Sequence, residues 1–100
     1  MITIEPIVVN GYTFLGVSVQ LPKTNLLSIS SEKGYIMCGA LDVALLNEKL
    51  SSREIIAARA VGVRTLDELL EASMESVTTH AEKLGITKGM IGRDALLKML

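Results

Sequence analysis

Gly34-Tyr35-Ile36-Met37-Cys38-Gly39-Ala40-Leu41-Asp42 is the stretch on which the architecture turns. Tyr35 to Cys38 form a short apolar run bounded by glycines, the mark of a buried strand. From Leu41 to Leu50 the period becomes helical. Val43, Leu46 and Leu50 share one face, Leu41 and Leu45 widen it, and Ser51-Ser52 ends it. The only cysteine, a glycine and an acidic residue fall within five positions at the junction, Cys38 to Asp42. A strand that passes through a helix into another strand makes a crossover unit, which points to an α/β fold.

Upstream of that stretch, Ile2 to Val9 is rich in β-branched residues and ends at Asn10-Gly11, a dipeptide suited to a tight hairpin turn. Beyond the turn Leu15, Val17, Val19 and Leu21 alternate with Gly16, Ser18 and Gln20, a half-buried second strand. Pro6 cannot donate to a ladder and places the first strand at an edge or a bulge. Pro22-Lys23-Thr24-Asn25 reads as a turn into a third strand, Leu26 to Ser30, and Glu32-Lys33-Gly34 turns the chain into the fourth. Short turns of this kind join antiparallel neighbours.

Downstream, Ile55 to Val63 fits a helix by its alanines and a strand by its β-branched ends, and Gly62 tips the reading to a strand. Thr65 with Glu68 forms a capping box ahead of the stripe Leu66, Leu69, Leu70. A second helical stripe is expected through Met74, Val77, Ala81 and Leu84, stopped by Gly85. Gly89 and Gly92 precede a last helix whose Leu96, Leu97 and Leu100 are expected in the core. The expected fold is α/β, of α+β character, in one domain over residues 1–100. It has a mixed, mainly antiparallel five-stranded sheet, one crossover helix and two or three carboxy-terminal helices.

The apolar fraction is 49 % with only 3 % aromatic residues, so the core is aliphatic. That much apolar surface in 100 residues exceeds what one small core hides, and a homo-oligomer is expected. Ten basic and eleven acidic residues lie scattered, which argues against nucleic acid or an anionic membrane as partner. No apolar run approaches the roughly 20 residues of a membrane span. The single cysteine and an amino terminus unlike a signal peptide are read as cytoplasmic.

Tyr35 to Val43, Arg59 to Thr65 and Gly89 to Leu96, together with Leu21-Pro22-Lys23-Thr24-Asn25, resemble the YunC-like family. These are small bacterial proteins classed as a domain of unknown function. The resemblance implies a compact α/β domain and carries no activity with it.

Cys38 is the candidate nucleophile or redox thiol. A sulfur between a strand end and a helix start meets free N–H groups that favour thiolate, and Gly39 would admit a ligand closely. The plainer reading makes Cys38 a buried apolar residue and Asp42 a first-turn charge. Arg59, expected among apolar neighbours on the fifth strand, needs a carboxylate such as Asp42, a carbonyl or a small anionic ligand. Lys23 and Asn25 are further ligand-binding candidates, set against ordinary turn chemistry. His80 reads as a packing or surface residue, because one His and one Cys cannot make a metal site, and no cofactor is expected. A glycine hairpin from Gly85 to Gly92, with Lys88 and Arg93, is a loose match to a phosphate-gripping nucleic-acid module. The leading functional expectation is a non-catalytic or small-ligand-binding homo-oligomer, with a Cys38 enzyme as the alternative and nucleic-acid binding as a weaker one.

Overall fold

Asn10 and Gly11 take φ of 51° and 83° and fold β1 (Ile2–Val9) back onto β2 (Tyr12–Leu21) in a two-residue hairpin. The register runs from Val9 opposite Tyr12 to Ile2 opposite Val19. The structure is a computed structural model that describes residues 1–39, 47–48 and 53–100. Pro22 and Lys23 make the next turn, Lys23 at φ 64°, and lead into β3 (Thr24–Ser30), antiparallel to β2. Ser31 closes the third turn. Its Oγ accepts from the Lys33 and Gly34 amides at 3.1 and 3.2 Å and donates to the Met99 carbonyl at 2.9 Å, which also ties down the carboxy terminus.

β4 (Gly34–Met37) pairs antiparallel with β3 and parallel with β5 (Ile56–Arg59). The sheet has six strands in the order β1-β2-β3-β4-β5-β6, with β1 at the edge where Pro6 is tolerated. The sixth strand, β6 (Ser76–Val77), corrects the five-strand expectation. It lies inside the expected Met74–Leu84 helix. The Glu75 and Thr78 amides donate to the Arg59 and Ala57 carbonyls, so this segment completes the β5 edge instead of coiling. Val77 is buried either way, so spacing alone did not separate the two.

Three short helices complete the described fold: α1 (Leu66–Glu71), α2 (Thr79–Lys83) and α3 (Gly92–Leu97). Leu66, Leu69, Leu70, Ala81, Ala95 and Leu96 join Ile7, Phe14, Leu27, Ile29, Ile36 and Ala58 in one core. Gly92 is required by space, since a Cβ there would fall on the Leu69 carbonyl.

The fold class is as expected, with two further differences in detail. β5 ends at Arg59, short of Val63, and Gly62 turns the chain at φ 76°. At the carboxy terminus Met99 is fully buried while Leu100 is 46 % exposed, because a tight turn from Leu96 to Met99 ends α3 and rotates the face. The expected helix Leu41–Leu50 lies outside the described residues except for Asn47 and Glu48, which are helical.

Candidate functional site

The ends of β4 and β5 emerge side by side because those strands are parallel, and the start of β3 lies beside them because it runs the other way. Loops at the carboxyl ends of adjacent parallel strands are a favoured place for ligands. Cys38, Gly39, Arg59, Asn25 and Lys23 all gather at this end of the sheet. Asp42 lies outside the described residues.

Cys38 is 6 % exposed and belongs to the core. Its amide donates to the Leu27 carbonyl at 3.0 Å, its Sγ accepts from the Leu27 amide at 3.4 Å, and the thiol points to the Asn25 carbonyl at 3.8 Å. The sulfur therefore ties the chain just past β4 to the backbone of β3. A Cβ on Gly39 would stand 3.7 Å from Arg59 Nη2 and Val61 Cγ1, so space among the described residues does not demand glycine there.

Arg59 shares a sheet face with Met37, as its register position requires, but it is not enclosed among apolar neighbours. Its side chain is 31 % exposed, because β5 ends here and the guanidinium leaves the strand end. Nε and Nη2 donate to the Gly39 carbonyl at 3.3 and 3.1 Å, and Nη1 reaches the Glu75 carboxylate at 3.3 Å. Ser76 Oγ also donates to Glu75, at 2.6 Å. The Ser76 hydroxyl, above all, holds the Glu75 carboxyl below the usual glutamate range; desolvation opposes it, and the charges of Arg59 and Lys88 add smaller lowering effects. Glu75 was not legible as a partner, since the register of Arg59 opposite Ser76 exists only once β6 has formed.

A cleft opens beside this end of the sheet; Lys23 and Asn25 line it, whereas Cys38, Gly39 and Arg59 do not. One depression of about 400 Å³ is lined by Thr3, Glu5, Ser18, Gln20, Asn25, Arg64, Thr65 and Asp67 with Leu27 and Leu66. A second, of about 490 Å³, shares Asn25 and Arg64 and adds Leu21, Lys23, Thr24 and Val63. The cause lies in the hairpin. On the inner face of β1 and β2 the pair Ile7–Phe14 is buried, Gly16 leaves no room above it for more than Leu66, and the following pair, Thr3–Ser18, is polar. The rim is held by the start of α1, where Thr65 Oγ1 accepts from the Glu68 amide at 3.1 Å. The Glu68 carboxylate accepts from the Arg64 amide at 2.7 Å, one residue before the expected capping-box partner. Among the described residues neither Lys23 nor Arg64 pairs with a carboxylate. Arg64, Ser18, Gln20 and Asp67 were missed because they converge from two segments far apart in the chain.

The carboxy-terminal glycine hairpin is engaged internally. The Gly89 and Gly92 amides donate to the Met74 and Ala72 carbonyls, and Arg93 pairs with Glu71. His80 is half-buried on α2, and no cluster of three metal-ligating side chains occurs among the described residues.

Residues 37–99 match a family described as a domain of unknown function, DUF1805. The chain belongs to the DUF1805 family. A Bacillus subtilis (strain 168) protein described as uncharacterized protein YunC is similar at 61 % identity over 100 residues, covering 100 % of this chain and 99 % of the relative. The crystal structure of a protein of unknown function from Thermoplasma acidophilum is similar with a TM-score of 0.89 and 33 % identity, covering 100 % of this chain and 94 % of that one. The YunC-like resemblance in the sequence is thus upheld. The DUF1805 match takes in Cys38, Gly39, Arg59 and Arg64, while Lys23 and Asn25 precede it. No helix among the described residues is long and apolar enough to cross a membrane.

Proposed function

We propose that this DUF1805 domain binds a small anionic ligand without covalent chemistry, in the cleft between the β2–β3 turn and the start of α1, and works as a cytoplasmic homo-oligomer. The observation that carries the reading is the pair of cations, Lys23 and Arg64, at a polar cleft and without carboxylate partners among the described residues. A guanidinium offers a planar fork to carboxylate or phosphate, and the ammonium adds a point charge. Asn25, Ser18 and Gln20 supply hydrogen bonds, and Glu5 and Asp67 accept from hydroxyl or amino groups on the same ligand. The two acids restrict the ligand to one that is anionic at one end only.

Cys38 supports a packing role in this reading: its thiol is enclosed and both its hydrogen bonds run to the β3 backbone. A catalytic thiol remains the alternative, and iodoacetamide separates the two. Alkylation of the native protein would favour the enzyme, and protection until unfolding would favour packing.

Amide chemical shifts followed during titration with inorganic phosphate and with a hydroxycarboxylate test the cleft. Perturbations are expected at Asn25, Arg64 and Thr65, and Arg64→Ala should weaken binding by about tenfold or more, the loss of one charge-assisted contact. Binding unaltered in Arg64→Ala and in Lys23→Ala would refute the assignment.

A further inference from the structure

We infer that the outer face of β1, β2 and β3 is the surface on which a second copy of this chain packs, sheet face against sheet face about a two-fold axis. This rests on the self-association in the reading above and gives it a location.

Side chains directly opposite in a sheet share a face. The pairs Ile2–Val19, Ile4–Val17 and Pro6–Leu15 therefore stand together, and Val19 opposite Leu26 carries the face onto β3. Their inner-face counterparts Ile7, Phe14, Leu27 and Ile29 fill the core beneath the described helices, and along β1, β2 and β3 this second face is apolar with no layer over it among the described residues. Ile2, Ile4 and Val8 are each 65 % exposed, and Leu15 and Leu21 are 48 % and 44 % exposed. Monomers rarely leave such a contiguous patch to water.

Three observations select a second copy as the occupant. No charged residue falls on this face along β1, β2 or β3, so its two-fold image can meet it without burying like charges, and a charged partner would find no complement. The size suits a small symmetric interface. Three strands spaced about 4.8 Å apart, with eight residues rising about 3.3 Å each, cover roughly 14 by 26 Å. That footprint of about 360 Å² is of the order of the roughly 500 Å² per partner at which a specific interface begins. A groove of about 350 Å³ beside Ile4, Pro6 and Leu15, lined also by Glu5, Thr13 and Phe14, gives an opposing aliphatic side chain a seat.

The face is favoured over the neighbouring edge. β1 is an edge strand, but Pro6 near its middle has no amide to donate, so strand-to-strand pairing of two copies is broken there. Face packing needs no backbone donor. Two sheets joined in this way lie about 10 Å apart with their outer side chains interleaved.

Sedimentation velocity of the full chain, with the double variant Ile4→Glu, Leu15→Glu beside it, tests the inference. The native chain should sediment at twice its 10.8 kDa mass. The variant should be a folded monomer by circular dichroism, with the dissociation constant raised by about a hundredfold or more, since each copy loses two apolar contacts. If the charged variant fails to fold, Ile4→Thr, Leu15→Thr replaces it, and the dissociation constant should still rise at least about tenfold. A native monomer at all concentrations overturns the self-association itself. An oligomer that persists unaltered in the folded variant overturns the face as its location and leaves self-association standing.

Discussion

The Thr78 hydroxyl holds three backbone groups at once. It donates to the Ile55 carbonyl at 2.7 Å and accepts from the Ala57 and Ala81 amides at 3.1 and 3.2 Å, with the residue 1 % exposed. It thereby closes the edge of β5 and caps α2 in one step. Thr78→Val keeps the shape and strands all three groups, so stability should fall by about 3 kcal/mol in denaturant unfolding, while Thr78→Ser should lose far less. Equal losses in the two variants would mean that the methyl, not the hydroxyl, matters. Glu75 makes a second prediction at this scale. A carboxyl whose pKa is lowered by folding contributes stability above its unfolded pKa, and the contribution is lost as pH falls through the lower folded value. The Arg59–Glu75 pair should therefore persist below the usual glutamate range. A carbon-detected NMR titration of Glu75 should give a midpoint under that range, and Ser76→Ala should move it upward. A midpoint at the ordinary value would show that Ser76 and Arg59 do not act on it.

Between elements, the parallel contact of β4 and β5 depends on Gly34. A Cβ there would run into the Ile56 carbonyl and stand 2.8 Å from Ile56 Cγ2, so the two strands would have to part. Gly34→Ala is expected to cost about 1–3 kcal/mol, the usual range for overpacking. Gly39→Ala, five residues on, meets only ordinary contacts among the described residues and should stay within about 0.5 kcal/mol of the native chain. Urea midpoints of the pair check the contrast, and comparable losses would place the Gly39 loop under a constraint that its neighbours do not explain. The same elements show what was legible. The Asn10-Gly11 and Pro22-Lys23 turns and the Thr65 cap acted where they were expected, because each is set by the φ preference or hydrogen-bonding reach of two to four adjacent residues. Ser76–Val77 was read as helix because its apolar spacing serves a strand followed by a helix equally well.

At the scale of the molecule, the proposed packing of two copies on the outer face of β1, β2 and β3 makes a prediction about stability and concentration. If two copies pack there, the dimer is favoured by mass action, and Tm should rise with protein concentration. Differential scanning calorimetry across a hundredfold dilution series measures it, and a Tm independent of concentration would count against association in the folded state. One cooperative transition at each concentration is expected if residues 1–100 fold as a unit.

By itself the sequence determined the α/β class of α+β character, the antiparallel order of the first four strands, a place for β1 at an edge or a bulge, and the start of α1. Those features follow from turn preferences, two-residue alternation and capping, all interactions between near neighbours along the chain. Only the tertiary structure decided that Ser76–Val77 completes the sheet, that Arg59 meets Glu75 and Gly39 at a partly exposed strand end, and that Arg64 joins Lys23 and Asn25 at one cleft. Each of these rests on register between segments far apart in the chain. Residue spacing records which face a side chain takes on its own element, but not which partner the packing of elements will set opposite it.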